Sequence, residues 1–164
     1  MLPHVIAQWR PVANAFKGPL ETDLILAVIW QESLPIGDPW SYRFEPTYQY
    51  FYDASNKRAL YDKTRSVAEN RSAAIAIMGA TEFNQQSASF GLMQVMGAVA
   101  RELGMQGYLT RLCDPEVGVK YGCKHLINFY NRAGGDLRAA LWRYNGGSDY
   151  PDKVLAKLDS IREG

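Results

Sequence analysis

Leu24-Ile25-Leu26-Ala27-Val28-Ile29-Trp30-Gln31-Glu32-Ser33 is an apolar run closed by a carboxylate and a hydroxyl. Ile25, Val28 and Ile29 recur at helical spacing, and Thr22 or Asp23 can cap the start, which predicts a helix running to about Ser33. Leu34-Pro35-Ile36-Gly37-Asp38-Pro39 ends it and opens a loop. The Gly-free apolar part, Leu24 to Trp30, is far shorter than the ~20 residues a spanning helix needs. Glu32 follows Val28 by four residues and Ile29 by three, so it shares their face. A carboxyl pressed among apolar neighbours is pushed toward its neutral form, which is what a general acid requires. Taken alone, the plainer reading is a boundary glutamate, paired or solvated at a helix end.

Helical patterns continue on both sides. Residues 3–17 read as helix with a kink or break at Pro11, and Lys17-Gly18-Pro19 punctuates. Residues 40–52 are aromatic and irregular, a short strand or hairpin in which Pro46 argues against a central strand. Residues 53–66 are polar, 67–79 read as helix, and 80–89 as a polar loop. Leu92, Met96, Val99 and Leu103 line one face of a helix stopping at Gly104. Val119, Cys123, Leu126, Ile127 and Tyr130 line the helix that starts at Pro115. Leu137, Ala140, Leu141 and Tyr144 line one capped by Asp136 and closed by Gly146, and a last helix spans about 150–162. The fold class is mainly α, one compact helical domain over residues 1–164 with a small β element near 42–51. No internal repeat or low-complexity tract is visible.

The 164 residues suffice for one real core, and 47% hydrophobic content argues against disorder. With 18 basic and 17 acidic residues the net charge is +1, without the basic excess of a nucleic-acid binder. Ten Tyr and four Trp serve equally as core filler or as stacking walls for a flat-faced ligand such as a sugar. The N-terminus shows no signal-peptide pattern. Cys113 and Cys123 are expected about 12–15 Å apart along a helix, beyond the ~7 Å a disulfide allows, so both are expected as free thiols, Cys123 in the core. His4 and His125 have no ligand spacing, and neither metal nor organic cofactor is expected.

Two more segments could carry chemistry. In Ser89-Phe90-Gly91-Leu92-Met93-Gln94-Val95, Gly91 permits close backbone approach, and Gln94 offers a donor and an acceptor to an N-acetyl group or hydroxyl. In Tyr144-Asn145-Gly146-Gly147, a phenol and an amide precede a glycine cap. Each alone is bland: the start of an amphipathic helix, and an ordinary helix ending.

In this order, Glu32-Ser33, Gly91-Leu92-Met93-Gln94 and Tyr144-Asn145-Gly146-Gly147 resemble the signature of soluble lytic transglycosylases and goose-type lysozymes, glycoside hydrolase family 23. Leu26 to Ser33 is similar to that family's catalytic helix, and Phe90 to Val95 looks most like its goose-type form. The resemblance runs from about residue 20 to 150. It implies a lysozyme-like helical body whose cleft holds peptidoglycan glycan strands, acting on the cell wall as a monomer. It implies Glu32 as the catalytic acid between N-acetylmuramic acid and N-acetylglucosamine, with Met93 and Gln94 at the sugar, Tyr144 positioning Glu32, and Gly91 and Asn145 shaping the groove. Ser33 would orient Glu32 or only cap the helix. Between Glu32 and Gly91 lies a longer insert than compact bacterial transglycosylases carry. Its segments Arg43-Phe44-Glu45-Pro46 and Thr81-Glu82-Phe83 resemble phage-type and goose-type muramidases, and it blurs whether Ser87 or Ser89 matches the family's active-site serine.

The family offers two chemistries. A transglycosylase uses Glu32 as acid and then base, and forms a 1,6-anhydro ring. An inverting hydrolase needs a second carboxylate about 6.5–9.5 Å from the acid, for which Glu82, Glu45 and Asp53 are candidates. A non-catalytic glycan-binding or assembly module, and an enzyme acting on chitin, are the readings from other classes. Without a leader, a phage-encoded protein or another export route is expected.

Overall fold

The computed structural model describes residues 2–33 and 37–164; the predicted helix stop at 34–36 lies outside them. The element at the centre is α3, Thr22–Glu32, in which Leu24 to Ile29 are all buried. A helix apolar all round must be enclosed. The first two helices, α1 (His4–Ala7) and α2 (Arg10–Phe16), lie on one flank of it. The C-terminal helix α8 (Tyr150–Arg162) covers another through Val154, Leu158 and Ile161. Pro11 sits in the first turn of α2, so the predicted break falls just before it. Neither Thr22 nor Asp23 caps α3: Glu21 holds that position, Thr22 donates to Asn14, and Asp23 pairs with Arg10.

Two long helices follow the predicted capping chemistry. Asp114 accepts from the Glu116 N–H and Pro115 opens α6, Pro115–Arg132. Asp136 accepts from the Ala139 N–H and starts α7, Leu137–Asn145, which ends at Gly146 with φ 84°. Cys123 lies in the core at 0% exposure, and burial pushes its thiol up to about 12. It and the buried Cys113 are both free.

The middle of the chain departs from expectation. Helix α4 runs Val67–Gln86, opened by a Ser66/Glu69 capping box and broken at Gly79 (φ 77°, ψ 163°). Residues 80–86, read as loop from their polarity, are therefore helical. Their polar groups are consumed internally: the buried Gln86 amide donates to Tyr52 O and accepts from Tyr52 N, each at 2.9 Å. That bond ties α4 to the ribbon of β2 (Tyr52–Asp53) and β3 (Arg58–Ala59). Phe51, Ala74 and Phe83 form a second small core there, separate from the main one.

A three-stranded antiparallel sheet, β1 (Tyr42–Phe44), β4 (Ala88–Phe90) and β5 (Val95–Met96), joins the two parts. Its register sets Arg43 opposite Ser89 and Ser89 opposite Met96 on one face. The predicted helix over 92–103 is likewise corrected. The chain reverses through Gly91 (φ 73°) and Gln94 (φ 46°), adds β5, and only then forms α5, Gly97–Glu102. The apolar spacing there is helical by coincidence; Leu92 and Val95 are buried from a turn and a strand.

Candidate active-site cleft

Between the helical body and the Phe51 lobe opens a cleft of about 570 Å³. Glu32, the last residue of α3, lies on one wall, with Tyr144 and Asn145 from the end of α7 and His125 from α6. Arg43, Ser89 and Met96 come from the sheet, Gln94 from the turn between β4 and β5, and Tyr48, Tyr50 and Tyr61 from the lobe. The chain reaches this arrangement because α3 must bury every face, which leaves only its C-terminal carboxylate to emerge at the cavity.

Burial raises the Glu32 pKa above its ordinary value, opposed by Tyr150, Arg43 and Asn145. The carboxyl is thus biased toward its acid form yet ringed by groups able to stabilise its anion. Tyr150 carried no signal in the sequence beyond opening the last helix. Its hydroxyl is buried and makes no hydrogen bond of ordinary geometry among the described residues, yet lies near enough to lower the Glu32 pKa. Tyr144, to which the family resemblance assigns Glu32, instead donates to the Met93 carbonyl at 2.7 Å. It remains an electrostatic neighbour of Glu32. His125 packs against Tyr144 with the rings tilted by 50° and their centroids 5.3 Å apart, and burial followed by Arg132 lowers its pKa to about 4, which favours the neutral ring.

The expected sugar-site residues divide. Gln94 faces the cleft and its amide is held by three bonds, accepting from Ser89 Oγ at 2.9 Å and donating to Gly91 O at 2.9 Å and Ser41 O at 3.5 Å. Asn145 faces it as well. Met93, Gly91 and Ser33 do not line it. Met93 is 0% exposed, its sulfur against Gly122, and contributes its carbonyl to Tyr144. Gly91 is buried under the Leu112 carbonyl. Ser33 is buried and its hydroxyl donates to Ile29 O at the C-terminal end of α3.

Of the candidate second carboxylates, Glu45 shares the cleft with Glu32 and pairs with Arg43 at 2.5 Å. Glu82 does not, which corrects the expectation that its loop folds toward the cleft: it lies on α4, where the helix orients it toward Arg101. Arg101 grips it with two bonds of 2.6 and 2.9 Å, and Gln86 adds a third at 2.9 Å. Burial alone would raise the Glu82 pKa, but Arg101 and Gln86 hold it below the usual range. Asp53 is also outside, accepting from Ser55 and Asn56 in the β2–β3 turn. Glu82→Gln is therefore expected to cost about 1–3 kcal/mol, read as a lower urea midpoint, with the titration of Glu32 unmoved.

Among the described residues no group of three or more His, Cys, Asp or Glu could hold a metal ion, and no helix is long and apolar enough to cross a membrane. No curated protein and no solved structure matches the chain. The transglycosylase SLT domain matches residues 59–158. That span takes in the Gly91–Gln94 turn and Tyr144-Asn145 but not Glu32, which the fold brings to the same cleft from outside it. A match over well over half the chain, on a mainly helical body with this cleft, makes the chain a member of the transglycosylase SLT domain family.

Proposed function

We propose that this protein cleaves the β-1,4 bond between N-acetylmuramic acid and N-acetylglucosamine in peptidoglycan as a lytic transglycosylase, with Glu32 as its catalytic residue. The feature that carries this reading is one half-buried carboxyl, its pKa raised by desolvation, in an open, tyrosine-walled cleft. Glu32 gives its proton to the glycosidic oxygen as the C1–O bond breaks. The resulting carboxylate then takes the proton from the muramyl C6 hydroxyl, whose oxygen closes on C1. Glu32 is protonated again, and no water is consumed. Both halves of the cycle need a carboxyl whose two forms are close in energy. Burial favours the acid; Tyr150, Arg43 and Asn145 favour the base. Gln94, held at both ends, is suited to reading an acetamido group. The site of action is the cell wall, outside the cytoplasmic membrane.

Glu45, in the same cleft, supports a second reading as an inverting hydrolase in which Glu45 activates water. Arg43 holds one Glu45 carboxylate oxygen, and the other is the one that would take the proton from water. Mass spectrometry of products from purified peptidoglycan separates the two. Anhydromuropeptides, one water lighter than hydrolysed ones, are expected from wild type and from Glu45→Gln. Reducing muramyl ends, lost in Glu45→Gln, would instead establish the hydrolase. No product from folded wild type would favour a non-catalytic glycan-binding module.

Tyr150 supports the basic form of Glu32, so Tyr150→Phe should raise the Glu32 pKa further. The alkaline limb of the activity profile is expected to move up, with kcat reduced. An unmoved limb would remove Tyr150 from the site.

A further inference from the structure

Helix α6 brings His125 to the cleft, where Tyr144 and Asn145 also stand. The ring is held in place by two aromatic neighbours. Phe129, one turn further along α6, packs on it with ring centroids 4.6 Å apart, and Tyr144 of α7 packs on it at 5.3 Å. A neutral imidazole carries one N–H that donates and one bare nitrogen that accepts. Neither nitrogen hydrogen-bonds to any described residue, and neither is sealed in the interior. Polar groups in that position are normally met by water or by a ligand.

The neighbouring polar side chains are already committed. Tyr144 gives its hydroxyl to the Met93 carbonyl at 2.7 Å. Asn145 accepts from the Gly147 N–H at 3.3 Å and bonds to Glu32. On the sheet side, the Gln94 nitrogen donates to Gly91 O and Ser41 O, so both its N–H groups are spent. Its oxygen accepts from Ser89 and keeps one lone pair. Gln94 can therefore accept from an amide N–H or a hydroxyl, but it has no proton left for a carbonyl.

We propose that His125 is a specificity-determining residue whose ring N–H donates to the acetamido carbonyl of a sugar in the cleft. This rests on the reading of the cleft as a glycan site. An N-acetylated sugar differs from a plain hexose by one secondary amide: a carbonyl that accepts, an N–H that donates and an apolar methyl. The cleft holds a counterpart to each in the His125 N–H, the free lone pair of Gln94, and the aliphatic lining of Val95, Met96 and Val99. A ring already held by Phe129 and Tyr144 loses little freedom on binding, so little of the bond is spent on ordering it.

The chain holds two histidines, the second being the exposed His4 of α1, which does not line the cleft. Labelling histidine with ¹⁵N therefore reports on His125 with His4 as internal control. The parent is the non-cleaving Glu32→Gln protein, and the probes are glycan strands freed of stem peptides and the same strands stripped of their N-acetyl groups. At equal saturation, the N-acetylated strands are expected to shift the His125 ring nitrogens and leave His4 in place, while the stripped strands leave both in place. Adding His125→Phe, which keeps an aromatic ring against Phe129 and Tyr144, is expected to weaken binding of N-acetylated strands about two- to tenfold and leave binding of stripped strands unchanged. The amines on the stripped strands are common to parent and variant and cancel in that comparison. Bound N-acetylated strands that leave His125 unshifted overturn the proposal and leave the cleft reading intact. Equal shifts or equal losses with both probes also overturn it, because the ring would then line the cleft without reading the acetamido group. A folded parent that binds neither probe overturns the cleft reading and the proposal together.

Discussion

Glu32→Gln is expected to lower peptidoglycan cleavage by about 10²–10⁴-fold and, in the same protein, to raise the melting temperature at neutral pH. The first effect follows from removing the only proton donor the proposed cycle uses. The second follows from burial. The folded-state pKa of Glu32 is raised by desolvation, more than Tyr150, Arg43 and Asn145 lower it. A carboxyl with a raised folded pKa contributes its full stability below the unfolded value of about 4.3. That contribution is lost as pH rises through the folded pKa. Glutamine has the same shape and never ionises, so it escapes the loss. Melting curves at pH 4 should therefore nearly coincide for the two proteins, and at pH 7 the variant should melt higher. Each kcal/mol recovered is worth about 2–4 °C in a chain of this size. A variant that melts lower at both pH values would mean that the carboxylate is stabilised in place, and the general-acid assignment would fall with that result. Loss of activity together with a gain in stability is a combination a merely structural glutamate does not produce.

The parts of the fold legible in the sequence are those where local chemistry and packing agree. The starts of α6 and α7 follow from Asp114-Pro115 and Asp136, and α3 from its unbroken apolar run. The illegible parts are those where a long-range partner decides. Gln86 looks like a loop residue until its amide is seen completing the ladder of Tyr52. Leu92, Met96 and Val99 keep a helical spacing although the backbone turns back on itself at Gln94. The same distinction runs through the site. Glu32, Gln94 and Asn145 face the cleft, and the sequence had marked all of them. Ser33, Gly91 and Met93 belong to the same motifs yet act behind the wall, because motif membership does not say which way a residue points. Tyr150 reaches Glu32 from the last helix and Arg43 from β1, and only the tertiary fold shows both beside it.

Gly91→Ala is expected to be the most destabilising single methyl in the motif region, at about 2–5 kcal/mol, from left-handed strain and forced overpacking together. Gly91 adopts φ 73°, and a Cβ there would lie 2.3 Å from the Leu112 carbonyl oxygen. That oxygen cannot retreat easily, because a Cβ on Gly118 would come equally close, 2.3 Å, from α6. The Leu112 carbonyl is therefore wedged between two glycines. Relieving the clash means shifting the short 3₁₀ segment Leu109–Cys113, whose Leu109 and Leu112 are fully buried. Gly104→Ala is the control: its φ is 92°, but a Cβ there meets nothing within 4 Å, so it bears the strain of about 1–2 kcal/mol without the collision. Urea midpoints at constant slope should separate the two variants. Equal midpoints would mean that the Leu112 contact contributes nothing. The consequence extends to the cleft, because the Gly91 N–H donates to Ser41 O at 2.8 Å and its carbonyl holds Gln94 at 2.9 Å. A displaced turn moves the Gln94 amide on the cleft wall, so, on the proposed function, Gly91→Ala that still folds at low temperature should bind N-acetylated glycans more weakly than its remaining stability accounts for.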